Sequence, residues 1–186
     1  MKVSTAKDVA KLLKAHEGEV LKLDIGCGYN KNDDRESGWL GLDKIPYRGV
    51  DIVWDIEKQP FPIPAETFTL LSSSHCLEHI DPRDNGMVRL MDECWRILKY
   101  DGQFRIAAPM AGSLGYWGDP THLNHLVPRT FTYFDPLHPA DTYQVYEPKP
   151  WKILNMSWNP EGNMEILLAK RRDDRSYYRT KPLIKK

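Results

Sequence analysis

The chain has 186 residues, of which 41% are hydrophobic, and this is enough for one domain with one core. No run of 18 apolar residues occurs, and residues 1–19 lack the apolar segment of a secretory signal, so no membrane partner and no export are expected. Three cysteines, Cys27, Cys76 and Cys94, are too few and too scattered for a disulfide framework. This cysteine usage favours a reducing, cytoplasmic compartment.

Charge is unevenly distributed along a chain whose formal net charge is zero. Residues 170–186 hold eight Lys/Arg and two Asp, whereas residues 1–169 hold 18 basic and 24 acidic residues. We therefore expect a single domain over residues 1–170 and a basic C-terminal tail over residues 171–186. The tail is either a solvated chain end or an arm for an anionic partner. No basic stripe marks the domain itself, so a nucleic-acid partner is not expected.

Helical patterns occur at three places. A first helix is predicted to be capped by Ser4 and to end near residue 18. A second is predicted to begin with Asp81-Pro82 as cap and first residue and to run to about residue 100, where Asp101-Gly102 ends it. A short third helix is predicted near residues 128–134.

Short apolar runs bounded by Gly, Pro and charged residues predict the strands. The last two runs are separated by a turn sequence and therefore predict an antiparallel hairpin. The order of elements predicts an α/β fold, with a single doubly wound, mostly parallel sheet, helices on both faces and a C-terminal antiparallel hairpin. The predicted strands are residues 20–25, 39–43, 50–54, 68–73, 103–108, 151–158 and 164–170.

The sequence Gly26-Cys27-Gly28 forms a turn after the first predicted strand. Open parallel sheets bind ligands at the carboxyl ends of their strands, so this turn is a candidate ligand site. A dinucleotide site needs the spacing G-x-G-x-x-G at the start of a helix, because the helix N-terminus meets the pyrophosphate. Residues 29–38 contain neither the third glycine in that spacing nor an apolar stripe, and no P-loop pattern is present. A phosphate-bearing ligand is therefore disfavoured.

Acidic residues at the predicted strand ends suit a cationic nucleoside without phosphate. Asp43 can accept hydrogen bonds from both ribose hydroxyls. Asp55 can accept from an adenine amino group while the backbone N–H of Ile56 donates to a ring nitrogen. Together with Asp24, these acids give a negative potential that favours a sulfonium cation.

The segments LDIGCG, GLDK, the Asp55-Ile56 pair before a PFP loop, and SSSHCLEHI together resemble the class I S-adenosylmethionine-dependent methyltransferases. The resemblance covers roughly residues 20–108 and the closing hairpin. Asn30 stands in place of the family's third glycine, and the link to the second strand is short, as in one branch of the family. The resemblance implies S-adenosylmethionine as the cofactor, with contacts from Asp24, Gly26, Cys27, Gly28, Asp43, Lys44, Asp55, Ile56, Ser74, His75 and Leu77.

The loop after the fifth predicted strand, GYWGDPTHLNHLVP, contains the candidate acceptor residues. Asp119, His122 and His125 are candidates for metal binding or proton transfer. Imidazole titrates near neutral pH, so His122 is the candidate base for a hydroxyl acceptor, with Asp119 as its orienting partner or as an acceptor of the substrate hydroxyl's hydrogen bond. Trp117 and His125 are candidate acceptor contacts. The alternative is a structural loop whose histidines hydrogen-bond to its own backbone.

Two other groups admit a chemical interpretation. The spacing of His75, Glu78 and His79 is compatible with a metal site, but no second cluster matches it, so we expect packing and hydrogen bonding, and no metal. Cys27 is expected to fill a tight turn, not to act as a nucleophile.

The sequence therefore predicts an enzyme that methylates an oxygen or nitrogen atom of an unidentified small molecule, sugar or modified polymer. A homodimer is one way to complete a pocket for this small or glycan-like acceptor. The rival hypotheses are a non-catalytic module that binds the cofactor or a partner, and, disfavoured by the glycine pattern, an NAD-dependent oxidoreductase.

Overall fold

The computed structural model describes residues 2–29, 38–140, 148–174 and 177 of the chain. Asn30, the short link before the second strand, and most of the basic tail lie outside these residues.

Seven strands form one sheet: β1 (Lys22–Ile25), β2 (Trp39–Asp43), β3 (Ile52–Val53), β4 (Phe68–Ser74), β5 (Leu98–Pro109), β6 (Trp151–Trp158) and β7 (Asn163–Lys170). Their order across the sheet is β3-β2-β1-β4-β5-β7-β6. The first five strands pair in parallel, and β7 pairs antiparallel with both β5 and β6. The predicted α/β fold, with a mostly parallel sheet and a C-terminal antiparallel pair, is confirmed.

Four α-helices are present in the described residues: α1 (Ala6–Ala15), α2 (Gly86–Ile97), α3 (Leu114–Trp117) and α4 (Pro128–Thr132). The helix predicted near residues 128–134 is α4. The cap of α1 is Thr5 and not Ser4, because the hydroxyl oxygen of Thr5 accepts a hydrogen bond from the Asp8 backbone N–H at 3.2 Å. None of the described helices has the length and apolar character needed to cross a membrane.

Both ends of α2 differ from the prediction. The carboxylate of Asp81 accepts a hydrogen bond from the Arg83 N–H at 2.9 Å, but this belongs to a separate 3₁₀ turn, Arg83–Asn85. Asn85 has a φ of +57°, so α2 begins only at Gly86. The helix ends at Ile97 and β5 starts at once, so the predicted stop at Asp101-Gly102 is instead an irregularity within β5, with φ of +59° at Asp101.

The buried face of the sheet is an apolar row that crosses five strands in register. Its members are Leu40, Leu23, Leu71, Phe104 and Leu168, and each is at most 3% exposed. Burying a side chain of this size contributes roughly 1.5–3 kcal/mol, so this row is a main source of the fold's stability.

The row displaced by one residue points to the opposite face, because side chains alternate along a strand. It reads Gly41, Asp24, Ser72, Arg105 and Leu167. Three members of this row, Asp24, Ser72 and Arg105, are polar, whereas all members of the first row are apolar.

The order of the strands reverses between β1 and β4. From β1 the chain adds β2 and β3 on one side, and from β4 it adds β5 on the other. The carboxyl ends of these parallel strands meet at one edge, and the reversal leaves a crevice there in which ligands bind. The fold therefore places the segments after β1, β2, β4 and β5 at a common site.

The proline-rich loop before β4 is attached to α2 by a buried ion pair. Glu93, which is 7% exposed, accepts a hydrogen bond from the Phe61 N–H at 2.5 Å, and Arg96 Nε donates to its other oxygen at 2.8 Å. Arg96 also donates to the Ile63 carbonyl at 2.8 Å. One salt bridge on α2 thus satisfies two backbone groups of the loop.

Replacing Arg96 with Met should lower the free energy of unfolding by about 2 kcal/mol, because a buried Glu93 carboxylate would lose its counter-ion. Urea denaturation of the wild type and of Arg96→Met measures this. Arg89→Met, at an exposed position of the same helix, is the matched control and should change stability by less than about 0.5 kcal/mol. Equal stability of the two variants would contradict the role assigned to the ion pair.

Candidate active site

The glycine turn after β1 contacts the segment after β4 directly. Gly26 has a φ of +68°, and a Cβ atom at this position would lie 2.2 Å from Sγ of Cys76. The backbone N–H groups of Gly26 and Cys27 both donate to the Leu42 carbonyl, at 2.8 and 3.2 Å. Glycine is therefore required here by both conformation and space, and the turn is fixed against β2 and β4 at the point where the strand order reverses.

Asp43, at the end of β2, connects the turn to the second strand. One carboxylate oxygen accepts a hydrogen bond from the Gly28 N–H at 2.9 Å, and the other accepts from the Ile45 N–H at 2.8 Å. A carboxylate has about four acceptor positions, so positions remain for the hydroxyls of a ribose. The adjacent Lys44 is exposed. Asp43 thus stabilises the turn and can also accept hydrogen bonds from a ribose.

The other two predicted groups of the turn are largely buried. Asp24 is 3% exposed and lies within β1, in register with Gly41 and Ser72. Burial, with further contributions from the Asp24 and Asp43 charges, raises the pKa of Cys27 to about 12. At neutral pH Cys27 is therefore a thiol, which supports the turn-filling role and disfavours a nucleophile.

Asp55 and Ile56 follow β3, on the far side of β2 from the strand reversal. One oxygen of Asp55 accepts a hydrogen bond from the Glu57 N–H at 3.2 Å, and the other lies 3.8 Å from Nζ of Lys58. The Ile56 side chain is buried in the core. The predicted adenine contacts are therefore separated from the β5 side of the site by β2, β1 and β4.

β4 ends with an exposed Ser74, and the segment after it begins with His75 in the left-handed conformation, with φ of +51°. The His75 N–H donates to the Ala107 carbonyl at 2.9 Å, which directs the ring outward with about half of its side-chain surface exposed. Leu77 is 1% exposed and belongs to the core. Of the predicted contacts in this segment, Ser74 and His75 have accessible side chains, whereas Leu77 can offer a ligand only its backbone.

The loop after β5 is folded around the 3₁₀ turn Leu77–His79. The backbone N–H groups of Leu123 and Asn124 both donate to the Glu78 carbonyl at 2.8 Å. The Asn124 side chain donates to the Leu77 carbonyl at 3.2 Å. These bonds bring the His122 and His79 rings to a centroid distance of 4.8 Å.

His122, whose side chain is only 7% exposed, is held by a carbonyl oxygen of its own loop and not by the predicted partner, and this is the kind of bond that the structural alternative predicts. Its Nδ1 lies 2.7 Å from the Tyr116 carbonyl and so carries the hydrogen, while Nε2 lies 3.7 Å from Asp119 and 4.0 Å from Glu78. Asp119 is close, but its nearer bonds are to the Thr121 hydroxyl at 2.6 Å and the Thr121 N–H at 2.8 Å. These hydrogen bonds lower the pKa of Asp119.

Trp117 and His125 lie on the outer side of the same loop. Both are exposed, and both rings contact the ring of Tyr116, at centroid distances of 5.2 and 5.3 Å. Tyr116 itself is 1% exposed, and burial together with the Glu78 charge raises its pKa. The loop thus presents an aromatic surface next to the imidazole of His122.

Sequence reasoning did not assign Tyr116, Glu78 and His79 to the same site as His122. Tyr116 is buried and belongs to no motif that would identify it. For Glu78 and His79, the order of the strands did give an indication. Glu78-His79 follows β4 and His122 follows β5, and neighbouring parallel strands end at the same edge of the sheet.

The sequence matches a methyltransferase domain family over residues 9–106, which is more than half of the chain. The chain belongs to this family, and its resemblance to the class I S-adenosylmethionine-dependent methyltransferases is confirmed. No curated protein matches the sequence.

Many solved structures share the fold. An S-adenosylmethionine-dependent methyltransferase from Archaeoglobus fulgidus is 19% identical, with a TM-score of 0.56 and coverage of 89% of this chain and 92% of that one. A second, from Mesorhizobium loti, is 16% identical, with a TM-score of 0.53 and coverage of 89% and 98%. The 1,6-didemethyltoxoflavin-N1-methyltransferase of Burkholderia thailandensis is 13% identical, with a TM-score of 0.55 and coverage of 89% and 77%.

Replacing Asp43 with Ala should weaken S-adenosylhomocysteine binding by about tenfold or more, because a charged acceptor of ribose hydroxyls is removed. Calorimetric titration with S-adenosylhomocysteine measures this. The variant should also lose some thermal stability, because the Gly28 and Ile45 N–H groups lose their acceptor.

Asp51→Ala is the matched control, since Asp51 accepts the Gly41 N–H at 2.8 Å but precedes β3, away from the carboxyl ends of the strands. It should lose stability without losing affinity. Unchanged affinity in Asp43→Ala would exclude Asp43 from the ribose site.

Proposed function

We propose that the protein transfers the methyl group of S-adenosylmethionine to an oxygen or nitrogen atom of a small-molecule or glycan-like acceptor. One observation carries the proposal. The acids that suit a nucleoside follow β2 and β3, whereas the imidazole and aromatic groups follow β4 and β5 on the other side of the strand reversal. A cofactor placed across this crevice has its adenosine near Asp43 and Asp55 and its sulfonium towards the loop after β5.

The reaction makes limited demands on the protein, because the sulfonium is already activated. The lone pair of the acceptor attacks the methyl carbon, the carbon–sulfur bond breaks with its electrons passing to sulfur, and the acceptor gives up a proton. The protein must hold the two reactants in line and provide for that proton. Nε2 of His122 bears a lone pair on this side of the site, and it can take up a proton or bind a cation.

The surroundings of His122 support a small acceptor. Trp117, Leu114 and Leu123 are 65%, 91% and 48% exposed, and they form apolar surface that an acceptor, or a second copy of the chain, would cover. The Burkholderia structure holds 1,6-didemethyltoxoflavin together with S-adenosylhomocysteine, so this fold accommodates a small acceptor. All three cysteines are free thiols, in agreement with the expected cytoplasmic compartment.

Turnover tests the proposal. The protein is incubated with S-adenosylmethionine and sets of hydroxyl-bearing and amine-bearing small molecules and sugars, and S-adenosylhomocysteine is quantified by mass spectrometry. Release that depends on one class of acceptor supports the proposal and identifies the class. Tight cofactor binding without release for any acceptor would favour the non-catalytic module instead.

Replacing His122 with Ala should leave S-adenosylhomocysteine affinity nearly unchanged and lower turnover by about 10²–10⁴, the usual contribution of a positioned acid–base group. Calorimetry and the turnover assay measure the two effects separately. His138→Ala, in the segment after α4, is the control and should keep normal turnover. A purely structural His122 would instead give turnover that falls only in proportion to the folded fraction measured by circular dichroism.

A further inference from the structure

The Glu78 side chain is fully buried, yet it lacks the partners that a buried carboxylate needs. Neither of its oxygens accepts a hydrogen bond within the part of the chain that the structure describes. The nearest cationic candidates are Nδ1 of His75 at 3.5 Å and Nε2 of His122 at 4.0 Å, both beyond ordinary hydrogen-bond length for a charged pair. Buried carboxylates are normally paired or bound to a metal.

Two imidazoles beside Glu78 are already oriented by backbone carbonyls. Nδ1 of His122 donates to the Tyr116 carbonyl at 2.7 Å. Nδ1 of His79 lies 3.2 Å from the Thr121 carbonyl and 3.1 Å from the Thr121 hydroxyl. Because that hydroxyl donates its own hydrogen to Asp119, it is an acceptor for His79. In both rings Nδ1 therefore carries the hydrogen and Nε2 bears a free lone pair. This is the arrangement found in metal-binding histidines, whose second nitrogen is fixed by an outer hydrogen bond.

We propose that Glu78, His79 and His122 bind one divalent transition-metal ion of the Zn²⁺ or Co²⁺ type. The donor atoms of the three residues lie within 4.8 Å of one another. Ligand atoms about 2.1 Å from a tetrahedral ion are roughly 3.4 Å apart, so each side chain has to move by less than about 1 Å. Two imidazoles and one carboxylate suit such ions better than Mg²⁺ or Ca²⁺, which prefer oxygen ligands. Packing and hydrogen bonding were expected for Glu78 and His79 because their spacing along the chain does not show that His122 lies beside them.

Two neighbouring groups complete the surroundings of the ion. The Asp119 carboxylate lies 3.7 Å from Nε2 of His122, with 45% of its side chain exposed, so it offers negative charge at the entrance. The hydroxyl of Tyr116 is buried without a hydrogen-bond partner in the described residues. Three protein ligands leave at least one coordination position open, as in catalytic zinc sites.

The open position deepens the proposed function and rests on it. The loop after β5 is the acceptor side, so the ion would hold a hydroxyl oxygen of the acceptor and lower the pKa of that hydroxyl. The proton passes to water, the oxygen attacks the methyl carbon, and sulfur keeps the electrons of the broken carbon–sulfur bond. In this arrangement His122 holds the ion instead of taking up the proton itself, so its replacement by Ala removes the activation of the hydroxyl and still lowers turnover. The acceptor class is therefore an alcohol, a sugar hydroxyl or a phenol.

Metal titration of the chelator-treated full chain tests the proposal. Calorimetry with Zn²⁺ and visible absorption with Co²⁺ should both reveal one site per chain. Glu78→Gln and His122→Gln should each weaken that site by about a hundredfold or more. His125→Gln removes a histidine of the same loop that lies outside the cluster, and it should bind both ions like the wild type.

Thermal unfolding distinguishes a binding defect from a folding defect. Without metal, Glu78→Gln should melt at or above the temperature of the wild type, because a buried charge is replaced by a neutral amide. Zn²⁺ should raise the melting temperature of the wild type and of His125→Gln, but not of Glu78→Gln or His122→Gln.

Two results would overturn the metal site: no binding of either ion at millimolar concentration, or equal binding by the wild type and all three variants. Titration of the same samples with S-adenosylhomocysteine tests the proposed function separately. A protein that binds S-adenosylhomocysteine but no metal contradicts only the metal site, and one that binds metal but not S-adenosylhomocysteine contradicts the proposed function.

Discussion

The attachment of the loop after β5 to Glu78 is the constraint on which the proposed acceptor side of this protein depends. The Glu78 carbonyl receives two backbone N–H groups from that loop, at Leu123 and Asn124. The same residue directs its carboxylate into the space between the loop and β4. The 3₁₀ turn Leu77–His79 therefore holds the loop after β5 in place. It also supplies the buried Glu78 carboxylate, which lies close to His79 and His122. Without that attachment, nothing in the loop's short helix α3 would place His122 near the end of β4.

The nucleoside side is built in a different way. There, the contacts are made by backbone atoms. The backbone of Gly26 packs against the Cys76 side chain, and the Gly28 N–H donates a hydrogen bond to the Asp43 carboxylate. These contacts join β1 to β4 and to β2 across the strand reversal. One half of the site is therefore set by glycine geometry, which lies within the family match over residues 9–106, and the other by side chains of a loop that follows that match.

The fold was predictable because its determinants are local and repetitive. Apolar runs and turn residues located all seven strands, and the glycine and acid motifs indicated the nucleoside side. The helix boundaries were harder, because a left-handed Asn85 and a strand that starts directly after Ile97 leave no distinct mark in the sequence.

The acceptor side was only half predictable. His122 and Asp119 were predicted as candidates from the loop, but the hydrogen-bond partner of His122 is the carbonyl of Tyr116, and a backbone atom has no residue type to reveal it. Glu78 and His79 were recognised as chemically capable groups. Their relation to His122 depends on how two segments more than 40 residues apart pack together, which spacing along the chain does not encode.

The use of main-chain carbonyls to orient both imidazoles has a consequence for how this site can evolve. Substituting Tyr116 or Thr121 changes a side chain but leaves in place the oxygen that fixes each ring. Most point mutations in the loop therefore leave the direction of the Nε2 lone pairs of His79 and His122 unchanged. The exposed positions around them, such as Trp117 and His125, can be substituted while the two rings keep their orientation. A lineage built on this chain could change what it methylates without rebuilding how it methylates.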